Sequence, residues 1–104
     1  MVVYDIGDDW GSGATINVTI INNTSSAVNG WTLEWTFPGN QQITNLWCGS
    51  HTQTGASVSV SDAGWNALIP ANGGSVNFGF NINYSGANNK PAAFTLNGTS
   101  CSVQ

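Results

Sequence analysis

Basic residues are almost absent from this chain of 104 residues. Lys90 is the one lysine, arginine does not occur, and His51 is the one histidine, against five acidic residues that bring the net charge to −4. A surface that binds phosphate groups needs clustered Lys and Arg, so nucleic acid and anionic membrane are not expected as partners. A single histidine cannot build a multi-histidine metal site, and we predict neither a metal nor a cofactor.

Long apolar stretches are absent as well. No run of the sequence approaches the length of a membrane span, and no charged leader with a hydrophobic segment precedes the first predicted strand. Low charge with abundant Asn, Thr, Ser and Gly is typical of extracellular β modules, so we expect a secreted protein. The length fits one domain over residues 1–104.

The acidic residues are poorly arranged for catalysis. Glu34 falls on the polar side of a predicted strand, and Asp5, Asp8 and Asp9 crowd one predicted turn. Glycosidases need two carboxyl groups across a groove, and other enzymes need a nucleophile with a base, or a metal. We therefore expect no enzyme activity. The acidic turn has oxygen ligands that suit Ca²⁺, but an ordinary solvated turn is the preferred interpretation.

Alternating apolar and polar residues dominate the chain, and no segment has helical periodicity. The strongest runs cover residues 14–20, 31–37 and 76–84, each with one apolar and one polar face. Many short strands separated by turn residues predict an all-β fold, an antiparallel β-sandwich of about nine strands. Weaker strands are predicted at Val2–Ile6, Gln42–Trp47, Ser57–Val60, Gly64–Leu68, Ala93–Leu96 and Cys101–Val103.

Five tryptophans stand out in so small a chain. Trp31 and Trp35 share the apolar face of one alternating run and are predicted to be buried. Trp10, Trp47 and Trp65 lie beside turn residues or on the polar face of a strand, which predicts exposure. Soluble proteins seldom leave several large aromatic faces in water without a partner. For any one of the three, packing beneath a loop is an equally good interpretation; for all three together it is not.

Exposed indoles among amides suit a neutral sugar. A pyranose has apolar C–H faces that an indole can cover, and a rim of hydroxyls that amides can bond as donor or acceptor. Asn17, Asn77 and Asn81 share the outward face of their strands, and Asn45 lies on the same side of its strand as Trp47. Asn could equally serve solubility at any one of these positions. The combination predicts a carbohydrate-binding surface.

Seven segments of the chain match a known family in order and spacing. Over essentially its whole length, the chain resembles a carbohydrate-binding module of family 2, the cellulose-binding type attached to bacterial cellulases and xylanases. The segments are Trp10–Gly13, Ala14–Thr19, Gly30–Pro38, Ile43–Trp47, Trp65–Asn66, Gly73–Asn81 and Phe94–Thr99.

The resemblance implies an immunoglobulin-like sandwich with three aligned tryptophans on one flat face. It implies non-catalytic binding of crystalline cellulose by a monomeric module that a bacterium secretes together with an attached glycoside hydrolase. Xylan-binding relatives typically keep two of the rings and turn one on edge, so xylan or chitin is the alternative ligand. The implied sugar-contacting residues are Trp10, Trp47, Trp65, Asn17, Asn45, Asn77 and Asn81.

The chain departs from the family pattern in two places. Asp8 stands where relatives often have Asn, which keeps an acceptor and loses a donor. Cys101 matches one partner of the usual terminal disulfide, but the other partner is missing and Cys48 has no counterpart. A Cys48–Cys101 bridge is the less favoured of two open alternatives. A different class of function, a structural or adhesive sandwich that binds protein through the same aromatics, also stays open, although protein hot spots usually add Arg or Tyr.

Overall fold

The computed structural model describes residues 1–103, and that part of the chain is built from strands without a helix. No helix in those residues could therefore cross a membrane. The eleven strands are β1 (Val2–Asp9), β2 (Gly13–Asn22), β3 (Val28–Asn29), β4 (Thr32–Thr36), β5 (Gln42–Trp47), β6 (Gly49–Thr54), β7 (Ser57–Asp62), β8 (Leu68–Ile69), β9 (Gly74–Asn83), β10 (Phe94–Leu96) and β11 (Thr99–Cys101).

Two sheets form a sandwich. One sheet has four strands in the order β1-β2-β9-β5, and the other has five in the order β11-β10-β4-β7-β6. The short strands β3 and β8 pair separately with each other. Every pair of named strands is antiparallel. The predicted all-β, immunoglobulin-like sandwich is confirmed, although it has more strands than the nine expected.

The core is rich in aromatic side chains that alternate inward from both sheets. Trp31 and Trp35 are 1% and 4% exposed, so the predicted burial of these two tryptophans is confirmed. Trp35 stacks on Phe78 and Phe80 at centroid distances of 6.3 and 5.7 Å, and Trp31 stacks on Phe78 at 5.7 Å. Large stacked rings fill the space between the sheets at little entropic cost, which makes a rigid scaffold.

Three of the predicted strands differ in extent or position from the strands observed in the structure. The first strand runs on to Asp9 across a β-bulge between Ile6 and Asp8, so the acidic residues lie in β1 and not in a turn. The predicted strand Gly64–Leu68 is a loop followed by the two-residue β8. The last strand lies two residues earlier than expected, at Thr99–Cys101, where it pairs with β10.

Strand β6 was not predicted from the sequence. Its residues, Gly49–Thr54, include no hydrophobic side chain, and even the half-buried inward positions are Gly49, His51 and Gln53, so no hydrophobic alternation marks them. The strand forms because β7 presents a free edge, against which all six residues pair. The two-residue strand β3 was missed too, since its length is below what alternation can reveal.

Candidate ligand-binding face

The solvent side of the sheet β1-β2-β9-β5, called here the outer face, collects six of the seven predicted site residues. Asn81 lies opposite both Thr15 of β2 and Asn45 of β5. Gly79, two residues along β9, lies opposite both Asn17 and Trp47. Asn77 follows on β9, and Trp10 joins this face from the turn before β2. Residues far apart in sequence therefore form cross-strand rows of indole, amide and hydroxyl groups.

The Trp47 indole lies over Gly79. A Cβ atom added to Gly79 would come within 2.5–2.6 Å of the indole Nε1, Cε2 and Cζ2 atoms, so any side chain there would occupy the space of the ring. The glycine itself is buried beneath the ring. Trp47 thus leans across its cross-strand partner and does not stand away from the sheet, while 37% of it remains exposed.

Trp10 has the same relationship with a second glycine. A Cβ on Gly13 would come within 2.7 Å of Cζ2 and 2.9 Å of Cε2 of the Trp10 ring. The Trp10 backbone N–H donates to the Gly13 carbonyl at 3.0 Å, which closes the turn between β1 and β2, and 54% of Trp10 is exposed. Because Gly13 lies opposite Asn83, the two glycines are four residues apart along β9, or roughly 13 Å.

Trp65 is the most exposed of the three, at 77%, and lies in the loop between β7 and β8. The neighbouring Asn66 is buried and donates from Nδ2 to the Cys48 carbonyl at 2.8 Å, immediately after Trp47. This bond brings the Trp65 loop to the end of β5. The exposure predicted for Trp10, Trp47 and Trp65 is therefore confirmed, whereas their role in binding remains a prediction.

The amides of the outer face differ in how they are held. Asn81 Oδ1 accepts a 2.8 Å hydrogen bond from Thr15 Oγ1, which fixes that side chain between the two indoles. Asn17 Nδ2 lies over Gly7 of the neighbouring strand, 3.6 Å from where a Cβ would stand. Asn45, Asn77 and Asn17 are exposed. The face thus offers both fixed and adaptable hydrogen-bonding groups.

A carboxylate braces the turn that carries Trp10. Asp9 Oδ1 accepts from Tyr84 Oη at 2.5 Å and from the Gly11 N–H at 2.9 Å, and its Oδ2 accepts from Asn88 Nδ2 at 3.1 Å. The hydrogen bond from Tyr84, followed by those from Gly11 and Asn88, lowers the pKa of Asp9. The hydrogen bond to Asp9 is also the main cause that raises the pKa of Tyr84. The charge of Asp9 therefore stabilises the conformation of the turn that carries Trp10.

The opposite side of the sandwich contrasts with the outer face. Its solvent-facing positions on β4, β6 and β7 carry hydroxyls and one carboxylate: Thr32, Glu34, Thr36, Ser50, Thr52, Thr54, Ser57, Ser59 and Ser61. No tryptophan lies among these nine positions. Trp10 and Trp47 therefore mark the outer face as the candidate site.

The other expectations concern metals and cysteines. Within residues 1–103, no three His, Cys, Asp or Glu side chains are grouped so that they could hold a metal ion. Cys48 and Cys101, both among the described residues, are free and half-buried. Cys48 has a positive φ of 64°, unusual for a residue with a side chain, at the corner where the chain passes from β5 to β6.

Sequence reasoning missed three contributors to this face: Gly13, Gly79 and Tyr84. A glycine at an outward position of a strand, where other residues are Asn or Thr, was the available signal for a ring lying above it. The contact between Tyr84 and Asp9 had no such signal, because 75 residues separate the two.

A rigid sandwich with one aromatic and amide-rich face defines a small carbohydrate-binding module. The chain belongs to the cellulose binding domain family, which matches residues 1–101. It is 40% identical over 94 residues to exoglucanase A of Cellulomonas fimi, covering 90% of this chain and 11% of that protein. It is 44% identical over 77 residues to endoglucanase A of Thermobispora bispora, covering 74% of this chain and 17% of that protein.

A solved structure gives the same result for the fold. The solution structure of the chitin-binding domain of Chi18aC from Streptomyces coelicolor superposes with a TM-score of 0.75 at 34% identity, covering 96% of this chain and 91% of that one. The chain spans about a tenth of the length of exoglucanase A, so it corresponds to one part of that much longer enzyme.

Proposed function

We propose that residues 1–104 form one non-catalytic module that binds the flat surface of crystalline cellulose. Trp10, Trp47 and Trp65 stack on glucose rings, and edge hydroxyls bond to the amides Asn17, Asn45, Asn77 and Asn81. The module holds an attached glycoside hydrolase on insoluble substrate outside a bacterial cell, and it acts as a monomer. Two long relatives named as glucanases support the attachment.

One observation carries this proposal: two indoles lie over glycines on the same face of a rigid sheet. A side chain that leans across the sheet can turn a ring face to solvent, whereas one that stands away from the sheet presents an edge. The separation of roughly 13 Å between the two glycines exceeds one sugar ring, so neighbouring indoles can contact different sugars of an extended chain. A flat, ribbon-like polymer suits such a face better than a strongly twisted one does.

The energetics are adequate for a surface ligand. Covering one indole with a sugar removes about 80 Å² of apolar area, worth roughly 2 kcal/mol, and three contacts give about 6 kcal/mol. Association costs several kcal/mol, and the cost is smallest when both partners are already rigid. The stacked aromatic core holds the protein rigid, and a crystalline polymer holds its chains in place.

Retention on microcrystalline cellulose tests the proposal. Trp47→Ala is expected to lose most retention and Trp47→Phe to keep part of it, because a phenyl ring can still stack. Ser59→Ala, on the opposite sheet, is the matched control and should bind as wild type does. Circular dichroism must show that each variant is folded. Wild-type retention by Trp47→Ala would refute the proposal.

Chitin is a second candidate, favoured by the 34% identity to a chitin-binding domain. Its sugar faces are as flat as those of cellulose, so the same indoles could cover them. Parallel binding isotherms on microcrystalline cellulose, crystalline chitin and insoluble xylan separate the ligands. We expect the highest affinity on cellulose. Binding to immobilised protein and to none of the three polysaccharides would favour the adhesive alternative.

A further inference from the structure

Trp65 differs from the other two exposed tryptophans in how its position is fixed. Trp10 and Trp47 rest against glycines of the sheet, whereas 77% of Trp65 is exposed, so neighbouring side chains support it much less. Its location must therefore be set largely by the backbone of its loop. The hydrogen bonds that anchor this loop decide where the third indole lies relative to the other two.

Asn66 is the centre of that anchorage. Its Oδ1 accepts from the Ala63 N–H at 2.8 Å, which closes the loop around Trp65. Its backbone carbonyl accepts from Nε1 of the core residue Trp31 at 2.8 Å. Its Nδ2 donates to the Cys48 carbonyl at 2.8 Å. The buried side-chain amide makes two of these hydrogen bonds and the backbone carbonyl the third, and buried polar groups are costly to leave without partners, so the loop is fixed on three sides.

The bond to Cys48 has a different consequence from the other two. Asp62 also anchors the loop, with Oδ1 accepting from the Gly64 N–H at 3.0 Å and Oδ2 from the Trp31 N–H at 3.1 Å. Those bonds tie the loop to itself and to Trp31, the residue before β4. The Asn66–Cys48 bond instead ties it to the peptide that follows Trp47, at the corner where the chain passes from β5 of one sheet to β6 of the other.

We propose that Asn66 is a positioning residue that fixes Trp65 relative to Trp47, so that the two indoles meet one flat ligand together. The inference rests on the function proposed above. Asn66 itself is buried, so it acts through the neighbouring tryptophan. Holding Trp65 in place before binding strengthens the affinity for a rigid ligand, because any conformational freedom of Trp65 would have to be lost on binding.

Asn66→Asp is the sharpest variant, because it keeps the acceptor for Ala63 and removes the donor to Cys48. We expect about tenfold weaker binding to microcrystalline cellulose, a loss comparable to that of one weakened contact. In a Trp65→Ala background, the same change should alter affinity by less than about twofold, as a double-mutant cycle requires when one residue acts through the other.

Asn22→Ala is the matched control for lost stability. Asn22 is also a buried amide with several hydrogen bonds, to Thr24, Ser26 and Ile69, where β2 ends. It should lower the unfolding temperature as Asn66→Asp does and leave cellulose binding unchanged. A similar loss of binding in both variants would overturn the inference, because stability alone would then explain it.

The remaining outcomes distinguish this inference from the proposed function. Loss of binding in Trp65→Ala with wild-type binding in Asn66→Asp, or additive losses in the double variant, would refute the role of Asn66 alone. Wild-type binding in both Trp65→Ala and Trp47→Ala would refute the proposed function. Should Asn66→Asp fail to fold, ¹⁵N relaxation of the wild-type protein still decides: we expect a rigid Trp65 amide, with an order parameter of about 0.85, and a mobile one would refute the inference.

Discussion

Trp47 and Gly79 face each other across β5 and β9, and the indole fills the space that a side chain on the glycine would need. The direction of the Trp47 side chain is therefore a property of the pair. A glycine in the interior of a strand usually weakens the sheet, so its presence here has a local use.

Gly79→Ala tests this relationship with one added methyl group. The φ of Gly79 is not positive, so alanine fits the backbone, but its Cβ would lie 2.5 Å from the Trp47 ring. The ring must swing away, and we expect cellulose affinity to fall between about 3- and 30-fold, up to the loss of one contact of about 2 kcal/mol. The affinity is measured from the protein left in solution after incubation with microcrystalline cellulose at constant temperature.

Gly7→Ala is the control for that change. A Cβ on Gly7 would meet Asn17 Nδ2 and the Thr15 carbonyl at the ordinary contact distance of 3.6 Å, so Asn17 does not have to move, and no tryptophan is nearby. Its affinity should match wild type. Unchanged affinity in Gly79→Ala would mean that the direction of the Trp47 ring does not matter for binding.

The Asp9–Tyr84 contact predicts a pH dependence at the Trp10 end of the face. The pKa of Asp9 is lowered, so the stability that its charge contributes is present above its ordinary value of 3.8 and is lost as pH falls through the folded value. The pKa of Tyr84 is raised, so its contribution is present below its ordinary value of 10.0 and is lost as pH rises through the folded value.

Cellulose binding should accordingly weaken at the acid end of a titration that runs from pH 7 down through the Asp9 pKa. Asp9→Asn should bind more weakly than wild type at pH 7 and lack that acid loss. Asp5→Asn, on the same strand, should keep the wild-type profile. Equal acid profiles for wild type and Asp9→Asn would show that the brace does not position Trp10.

Trp31→Ala and Trp65→Ala make the same chemical change inside and outside the sandwich. Trp31 is buried, stacks on Phe78 and donates to Asn66, so its loss should cost about 3–5 kcal/mol in free energy of unfolding. Trp65 is exposed, and its loss should cost no more than about 0.5 kcal/mol. Urea denaturation measures both. Similar costs would contradict the assignment of inside and outside.

A thiol-reactive reagent should detect two free thiols per chain in the unfolded protein without reductant. Both are free in the structure, Cys48 at the corner after β5 and Cys101 at the end of β11. Oxidised and reduced samples should then unfold at the same denaturant concentration. A count of zero thiols that rises to two with reductant would show a bridge.

Local patterns were sufficient for much of the fold. Alternation identified β2, β4 and β9 because one face of each is apolar, and it separated Trp31 and Trp35 from the exposed tryptophans. It failed for β6, whose polar residues are held by pairing with β7. It also failed near Asn66, where side-chain hydrogen bonds favour a loop over a strand.

The sequence by itself determined that the chain is an all-β domain with exposed indoles among amides and almost no positive charge, because composition and alternation are properties of neighbouring residues. Only the tertiary structure decided which strands bring Trp10 and Trp47 to one face, that each lies over a glycine, and that Asn66 ties Trp65 to the end of β5. Those relationships depend on register between distant strands, and register is fixed when the whole core packs.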